Sequence, residues 1–174
     1  MLGIIALMPL FFFVVLVGII DTGSPIFRQT RVGQNKKTFV LIKFRTMKKQ
    51  TESVPTHLVA SGSVTTFGRV LRKTKIDELP QLWNVVKGEM SLVGPRPCLP
   101  SQKELIAHRD KLNVFNVRPG VTGLAQINGL AMSAPKQLAK VDAKMIQKLN
   151  TQTYFKLIFL TLLGYGAGDQ TVDK

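Results

Sequence analysis

Residues 65–97 read TTFGRVLRKTKIDELPQLWNVVKGEMSLVGPRP, with two adjacent carboxylates, Asp77 and Glu78, near the middle. The whole chain has only ten acidic residues. Arg69, Arg72, Lys73 and Lys75 lie just upstream, and Arg96 follows inside a Gly-Pro-Arg-Pro turn. An anionic nucleophile or metal ligand set among cations suits phosphate chemistry. The spacing of Leu79, Leu82, Trp83 and Val86 predicts a helix with one buried face, capped by Thr74 or Asp77. Pro80 fits only in its first turn, which puts the acidic pair at the N-terminus, where the helix dipole favours anions. The plainer reading is that Thr74-Lys75-Ile76-Asp77 is an ordinary capping box, and local spacing alone favours it.

Upstream, IFRQTRV (26–32) and TFVLIKFRTM (38–47) are rich in β-branched and aromatic residues. A turn at Gly33-Gln34-Asn35 joins them, predicting a β-hairpin. Lys43 and Arg45 alternate with Phe44, so one face presents both cations, to a site or simply to solvent. The polar residues 48–64 read as a loop, and Phe67, Val70 and Leu71 predict a short helix over 66–74.

Downstream, Gly88 is a natural helix stop, and SLVGPRP predicts a short extended run and a rigid turn. Proline on both sides of Arg96 fixes its backbone, which suits a phosphate-directed guanidinium or a plain surface turn. Ser101 with Glu104 predicts a second capping box and a helix to about Leu112. Arg118, beside Pro119-Gly120, is a second phosphate candidate. Pro135 opens a helix to about Asn150 whose stripe is Leu138, Val141, Met145 and Leu149. Asp142 falls on that stripe, and a buried carboxylate must meet a cation or line a site. YFKLIFLTLLGY (154–165) is too short to span a bilayer and reads as an interfacial helix or a buried core helix.

The 174-residue chain carries a net charge of +14 and a pI near 10.3. That balance calls for a polyanionic partner: nucleic acid, anionic lipid or phosphorylated substrates. A single cysteine, Cys98, excludes an internal disulfide, and His57 and His108 stand too far apart to suggest zinc. The first twenty residues, MLGIIALMPLFFFVVLVGII, are uncharged. They lack the charged start and small-residue cleavage site of a secretory signal. A spanning helix would carry Pro9 in its middle, whereas a re-entrant hairpin would break there. Arg28, Arg31, Lys36 and Lys37 place the following residues on the cytoplasmic side. Eight residues precede Pro9, only about 12 Å of helix, so the expectation is a truncated or late-starting anchor.

IDELPQLWNVVKGEMSLVGPRP resembles the signature of the bacterial sugar transferases, the monotopic phosphoglycosyl transferases. GSPIFRQTRVG, FVLIKFRTMK and VRPGVTGLAQINGL stand in that family's order, and together these segments cover most of residues 23–130. The resemblance implies an α+β fold: a re-entrant membrane helix over residues 1–21, then a compact cytosolic domain over 22–174 with a small β-hairpin and amphipathic helices. It implies transfer of a phosphosugar from a UDP-sugar to polyprenyl (undecaprenyl) phosphate, releasing UMP, on the cytoplasmic face of the bacterial inner membrane. Asp77 would be the nucleophile, Glu78 its partner, and Mg2+ would be held by both. Lys43, Arg72, Arg96 and Arg118 would bind phosphate. Asp142 matches a family aspartate only weakly, because Ala-Lys-Met follows it in place of an aromatic pair. Two other classes compete. A basic nucleic-acid binder has no use for the apolar first segment, and a non-catalytic membrane scaffold would tolerate loss of Asp77.

Overall fold

The structure is a computed structural model that describes residues 8–49, 61–130 and 134–166. Helix α1 spans Met8–Thr22. The hairpin follows as β1, Ile26–Val32, and β2, Thr38–Phe44, paired antiparallel with Phe27 opposite Lys43. Its turn uses left-handed Asn35 (φ 53°), as the turn chemistry anticipated. Helix α2, Thr66–Lys73, is capped by Thr65, whose hydroxyl accepts from the Gly68 amide. Then come α3, Gln81–Val86; β3, Ser91–Val93; α4, Lys103–Lys111; β4, Gly120–Thr122; and α5, Leu124–Ile127. Helices α6, Pro135–Lys148, and α7, Thr151–Leu162, complete the described fold, a mixture of helix and small sheets compatible with α+β.

The segment VRPGVTGLAQINGL, which reads as turns, supplies a strand: β4 runs parallel to β3. The two backbones approach so closely at Gly94 and Gly120 that a Cβ on either would overlap the other's main chain. Glycine is therefore required there for space.

Apolar clusters tie these pieces together. Val14 of α1 packs with Phe44 and Leu71, flanked by Phe11, Ile26, Phe67, Ile76 and Leu79. The Phe11 and Phe44 rings lie 4.8 Å apart. A second cluster joins Val32, Cys98, Leu105, Phe115 and Leu138, and a third joins Val93, Met145 and Leu157.

Several expectations change. Pro9 lies where the described residues begin, so a break at it falls at their edge; from Pro9 onward α1 runs unbroken to Thr22. The first arm of the expected hairpin, residues 1–7, lies outside the described residues, as do residues 50–60 of the expected loop. No helix among the described residues is long and apolar enough to cross a membrane. Helix α3 turns the opposite way from its apolar spacing: Trp83 is 57% and Val86 56% exposed, while Gln81 and Asn84 are buried. Hydrogen bonding explains the inversion. The Asn84 Nδ2 donates to the Val40 carbonyl (2.8 Å) and its Oδ1 accepts from the Ile42 amide (3.2 Å), so the side chain continues the outer edge of β2. The Thr74-to-Asp77 capping box is also absent. Thr74 Oγ1 bonds back to the Val70 carbonyl, Pro80 takes the N-cap position of α3, and α4 begins after Gln102 without a Ser101 cap.

Candidate active site

The acidic pair occupies one tight 3-10 turn, Ile76–Glu78, between α2 and α3. The chain enters it through Lys75 in left-handed conformation (φ 57°), an uncommon state for a non-glycine residue. Ile76 and Leu79, on either side of the carboxylates, pack into the cluster that holds α1. The turn is thus pinned by apolar contacts while its acids point elsewhere. Asp77 is only 6% exposed.

Burial first, and then the charge of Glu78, push the Asp77 carboxyl from 3.8 up to about 6. Lys43, Arg72 and Arg96 pull it the other way. Three cations from three separate segments therefore converge on one carboxylate. Lys43 comes from the last turn of the hairpin's second strand and lies over the Phe27 ring, 5.7 Å from its centroid, beside Arg45 at 5.3 Å. Arg72 comes from α2, its Nε donating to Thr46 Oγ1 at 2.9 Å. Helix α2 can bring it there because Gly68 lies directly on the Thr46 carbonyl, where any Cβ would overlap the backbone. Arg96 comes from the turn after β3, and its Nη1 donates to Glu78 Oε1 at 3.2 Å.

The other candidates part company. Arg118 is exposed, lies beside Gly88, and lines a groove with Val85, Met90, Leu149 and Tyr154. It is not among the charges acting on Asp77, so its likeness to Arg96 in sequence does not carry into space. Asp142 is buried against Arg109, with Nη2 at 2.7 Å and Nε at 3.0 Å from Oδ2. Burial raises its carboxyl above the usual range and Arg109 opposes the rise. It meets its cation, as a buried carboxylate must, but the pair sits behind the Arg96 turn: Arg109 Nη1 donates to the Arg96 carbonyl at 2.8 Å. Arg109 and Thr46 carry no advance signal. A basic residue in the last turn of a helix reads as a dipole partner, and a threonine after a strand reads as loop.

Among the described residues, no group of three histidines, cysteines or acids gathers to hold a metal. Asp77 and Glu78 are oxygen donors of the kind magnesium takes, one or two from protein and the rest from phosphate and water. The Asp77 pKa is raised first by burial and then by the charge of Glu78, and a dication beside the pair would relieve the second cause, so the two carboxylates suit such an ion.

The family model described as bacterial sugar transferase matches residues 1–166. The uncharacterized sugar transferase EpsL of Bacillus subtilis (strain 168) is 40% identical over 141 residues, covering 80% of this chain and 69% of that protein. A UDP-N-acetylgalactosamine-undecaprenyl-phosphate N-acetylgalactosaminephosphotransferase of Aeromonas hydrophila is 36% identical over 167 residues, covering 88% of this chain and 39% of that protein. A UDP-glucose:undecaprenyl-phosphate glucose-1-phosphate transferase of Caulobacter vibrioides (strain ATCC 19089 / CIP 103742 / CB 15) is 36% identical over 149 residues, covering 80% and 56%. With the match running through the buried acidic pair and all three of its cations, the chain belongs to the bacterial sugar transferase family, the phosphoglycosyl transferases.

Proposed function

We propose that this protein transfers a sugar phosphate from a UDP-sugar to undecaprenyl phosphate at the cytoplasmic face of the bacterial inner membrane, opening the synthesis of a surface glycan. The observation that carries the reading is the convergence of Lys43, Arg72 and Arg96 on the Asp77–Glu78 turn. Relatives whose names give UDP-sugar donors and an undecaprenyl-phosphate acceptor support it.

In this reading an Asp77 carboxylate oxygen attacks the β-phosphorus of the UDP-sugar. A bond forms between that oxygen and phosphorus, the bond to the bridging oxygen breaks, and UMP leaves with the electron pair. A phosphate oxygen of the lipid then attacks the same phosphorus, the aspartyl bond breaks, and Asp77 returns as a carboxylate. Splitting one transfer into two displacements is the advantage of a covalent nucleophile. Lys43, Arg72 and Arg96 offset the charge that builds on the phosphoryl oxygens, from a buried turn where such stabilisation is stronger than in water. Magnesium, held by Asp77 and Glu78, would supply further neutralisation of the diphosphate.

Burial serves the chemistry at a cost. It keeps water from the aspartyl phosphate, yet it also raises the pKa of the nucleophile, so the cations are needed to keep Asp77 ionised near neutrality. The basic chain, +14 overall, suits two anionic substrates and an anionic membrane surface.

The test is UMP release by detergent-solubilised protein given undecaprenyl phosphate, magnesium and a panel of UDP-sugars. Sustained release that depends on the lipid, with no more than one equivalent of UMP per protein in its absence, and none from Asp77→Asn, is expected. Full turnover by Asp77→Asn would remove the nucleophile assignment, and multiple turnovers without lipid would remove the acceptor.

A further inference from the structure

The turn that carries Arg96 is held in an unusual way. Four successive carbonyls each accept a hydrogen bond, from donors on β4, α4 and β1. Pro95 accepts from the Gly120 amide at 3.0 Å, and Arg96 from Arg109 Nη1 at 2.8 Å. Pro97 accepts from Arg31 Nη1 at 3.0 Å, and Cys98 from the Val32 amide at 2.9 Å. Proline has no amide hydrogen, so positions 95 and 97 cannot be fixed by donating. Their carbonyls and that of Arg96 are the available handles, and buried guanidiniums take two of the three.

Resting on the roles given to Asp77 and Arg96 above, we propose that Arg31, Arg109 and Asp142 form a buried clamp that sets the position of Arg96 at the transferred phosphate. These three are positioning residues for the reaction and act through the Arg96 backbone. Arg109 is 1% and Asp142 1% exposed. The geometry divides the guanidinium's work: Nε and Nη2 are spent on Asp142 Oδ2, which leaves Nη1 aimed at the Arg96 carbonyl. Asp142 therefore orients the fork, and the fork holds the turn. A buried ion pair adds little stability over a well-packed apolar pair of the same volume, so directional holding is the better account of its use here. Arg31 reaches the next carbonyl from β1, and its Nη2 is itself held by Gln29 Oε1 at 2.6 Å. The Arg96 side chain then projects from this fixed backbone to Glu78.

A purely structural role and a positioning role differ in one measurable way. If the clamp acts through Arg96, removing it matters only while Arg96 is present. The variants are Arg109→Met combined with Asp142→Leu, which leaves no orphaned charge, and Arg109→Lys, which keeps a charge opposite Asp142 but loses the fork. Each is made in the wild type and in Arg96→Ala, and single-turnover UMP release is measured together with thermal melting. In the wild-type background we expect kcat/KM to fall about 100-fold, the scale of a misplaced catalytic group, mostly in kcat. In the Arg96→Ala background the same changes should cost less than about 3-fold, the signature of residues acting as one unit. Equal losses in both backgrounds, or full activity in a folded clamp variant, would overturn the proposal. Should the paired variant fail to fold, Arg109→Lys decides by the same criterion. Wild type in the same assay separates the two readings: a silent wild type tells against the transfer reaction itself, whereas an active wild type with indifferent variants tells against the clamp alone.

Discussion

Asp77 binds its proton more tightly in the folded protein than in the unfolded chain, because burial and Glu78 together outweigh three cations. The sign of the pH dependence follows. Between 3.8, the ordinary value, and about 6, the folded state holds more protons, so stability falls as pH rises through that window and stays lower above it. Ionised Asp77 therefore destabilises the fold near neutrality, by at most about 3 kcal/mol at 1.36 kcal/mol per pKa unit. Asp77→Asn should melt at higher temperature than wild type at pH 7.5, lose that advantage at pH 4, and be inactive throughout. The same titration predicts that kcat/KM falls on the acid side with an apparent pKa near 6. A limb near pH 4, with no stabilisation in the Asn variant, would show that Asp77 is not buried as described. The identity of this residue was legible in the sequence, since two acids among many cations stand out. Its environment was not, because the groups that set its pKa lie up to 34 positions away, at Lys43.

At the scale of elements, α3 is the instructive case. Leu79, Leu82, Trp83 and Val86 have the period of a buried stripe, yet the inward face of the helix carries Gln81 and Asn84. A six-residue helix has little apolar area to bury, and the edge of β2 offers an unpaired carbonyl and amide that would otherwise be costly inside the protein. Asn84 meets both, so hydrogen bonding outweighs the apolar spacing. Asn84→Ala should lose about 2–4 kcal/mol by stranding those two groups, measured by urea unfolding. Trp83→Ser, on the exposed face, should cost less than about 1 kcal/mol; a larger loss would mean that the tryptophan is covered. Gly68→Ala is predicted to be worse than helix propensity suggests. Its Cβ meets the Thr46 main chain, so α2 must retreat and take Arg72 with it. Activity should fall further than stability in that variant.

At the scale of the whole molecule, two helices expose apolar faces. Phe12, Phe13, Leu16 and Ile20 of α1 point away from the packed side, as do Phe155, Phe159 and Leu162 of α7. Such patches mark lipid or partner contacts, and the proposed lipid-phosphate acceptor calls for the former. Serine at Phe12, Leu16 and Phe159 together should abolish flotation with vesicles containing anionic lipid, while leaving the melting temperature within a few degrees, since these side chains are already outside the core. Flotation unchanged by the triple substitution would direct the membrane contact elsewhere.

The chain's local order determined a good deal by itself. The hairpin, the helix opening at Pro135, the stop at Gly88 and the prominence of Asp77, Glu78 and Arg96 follow from period, turn chemistry and charge, which act over a few residues. Tertiary structure decided what depends on distance through space. It sent Arg118 to a groove of its own and brought Lys43 and Arg72 to Asp77. It turned α3 on Asn84, made β4 a parallel partner of β3, and set Arg109 and Asp142 behind Arg96. Buried charges and buried amides must find partners wherever the fold offers them, and no local spacing says where that will be.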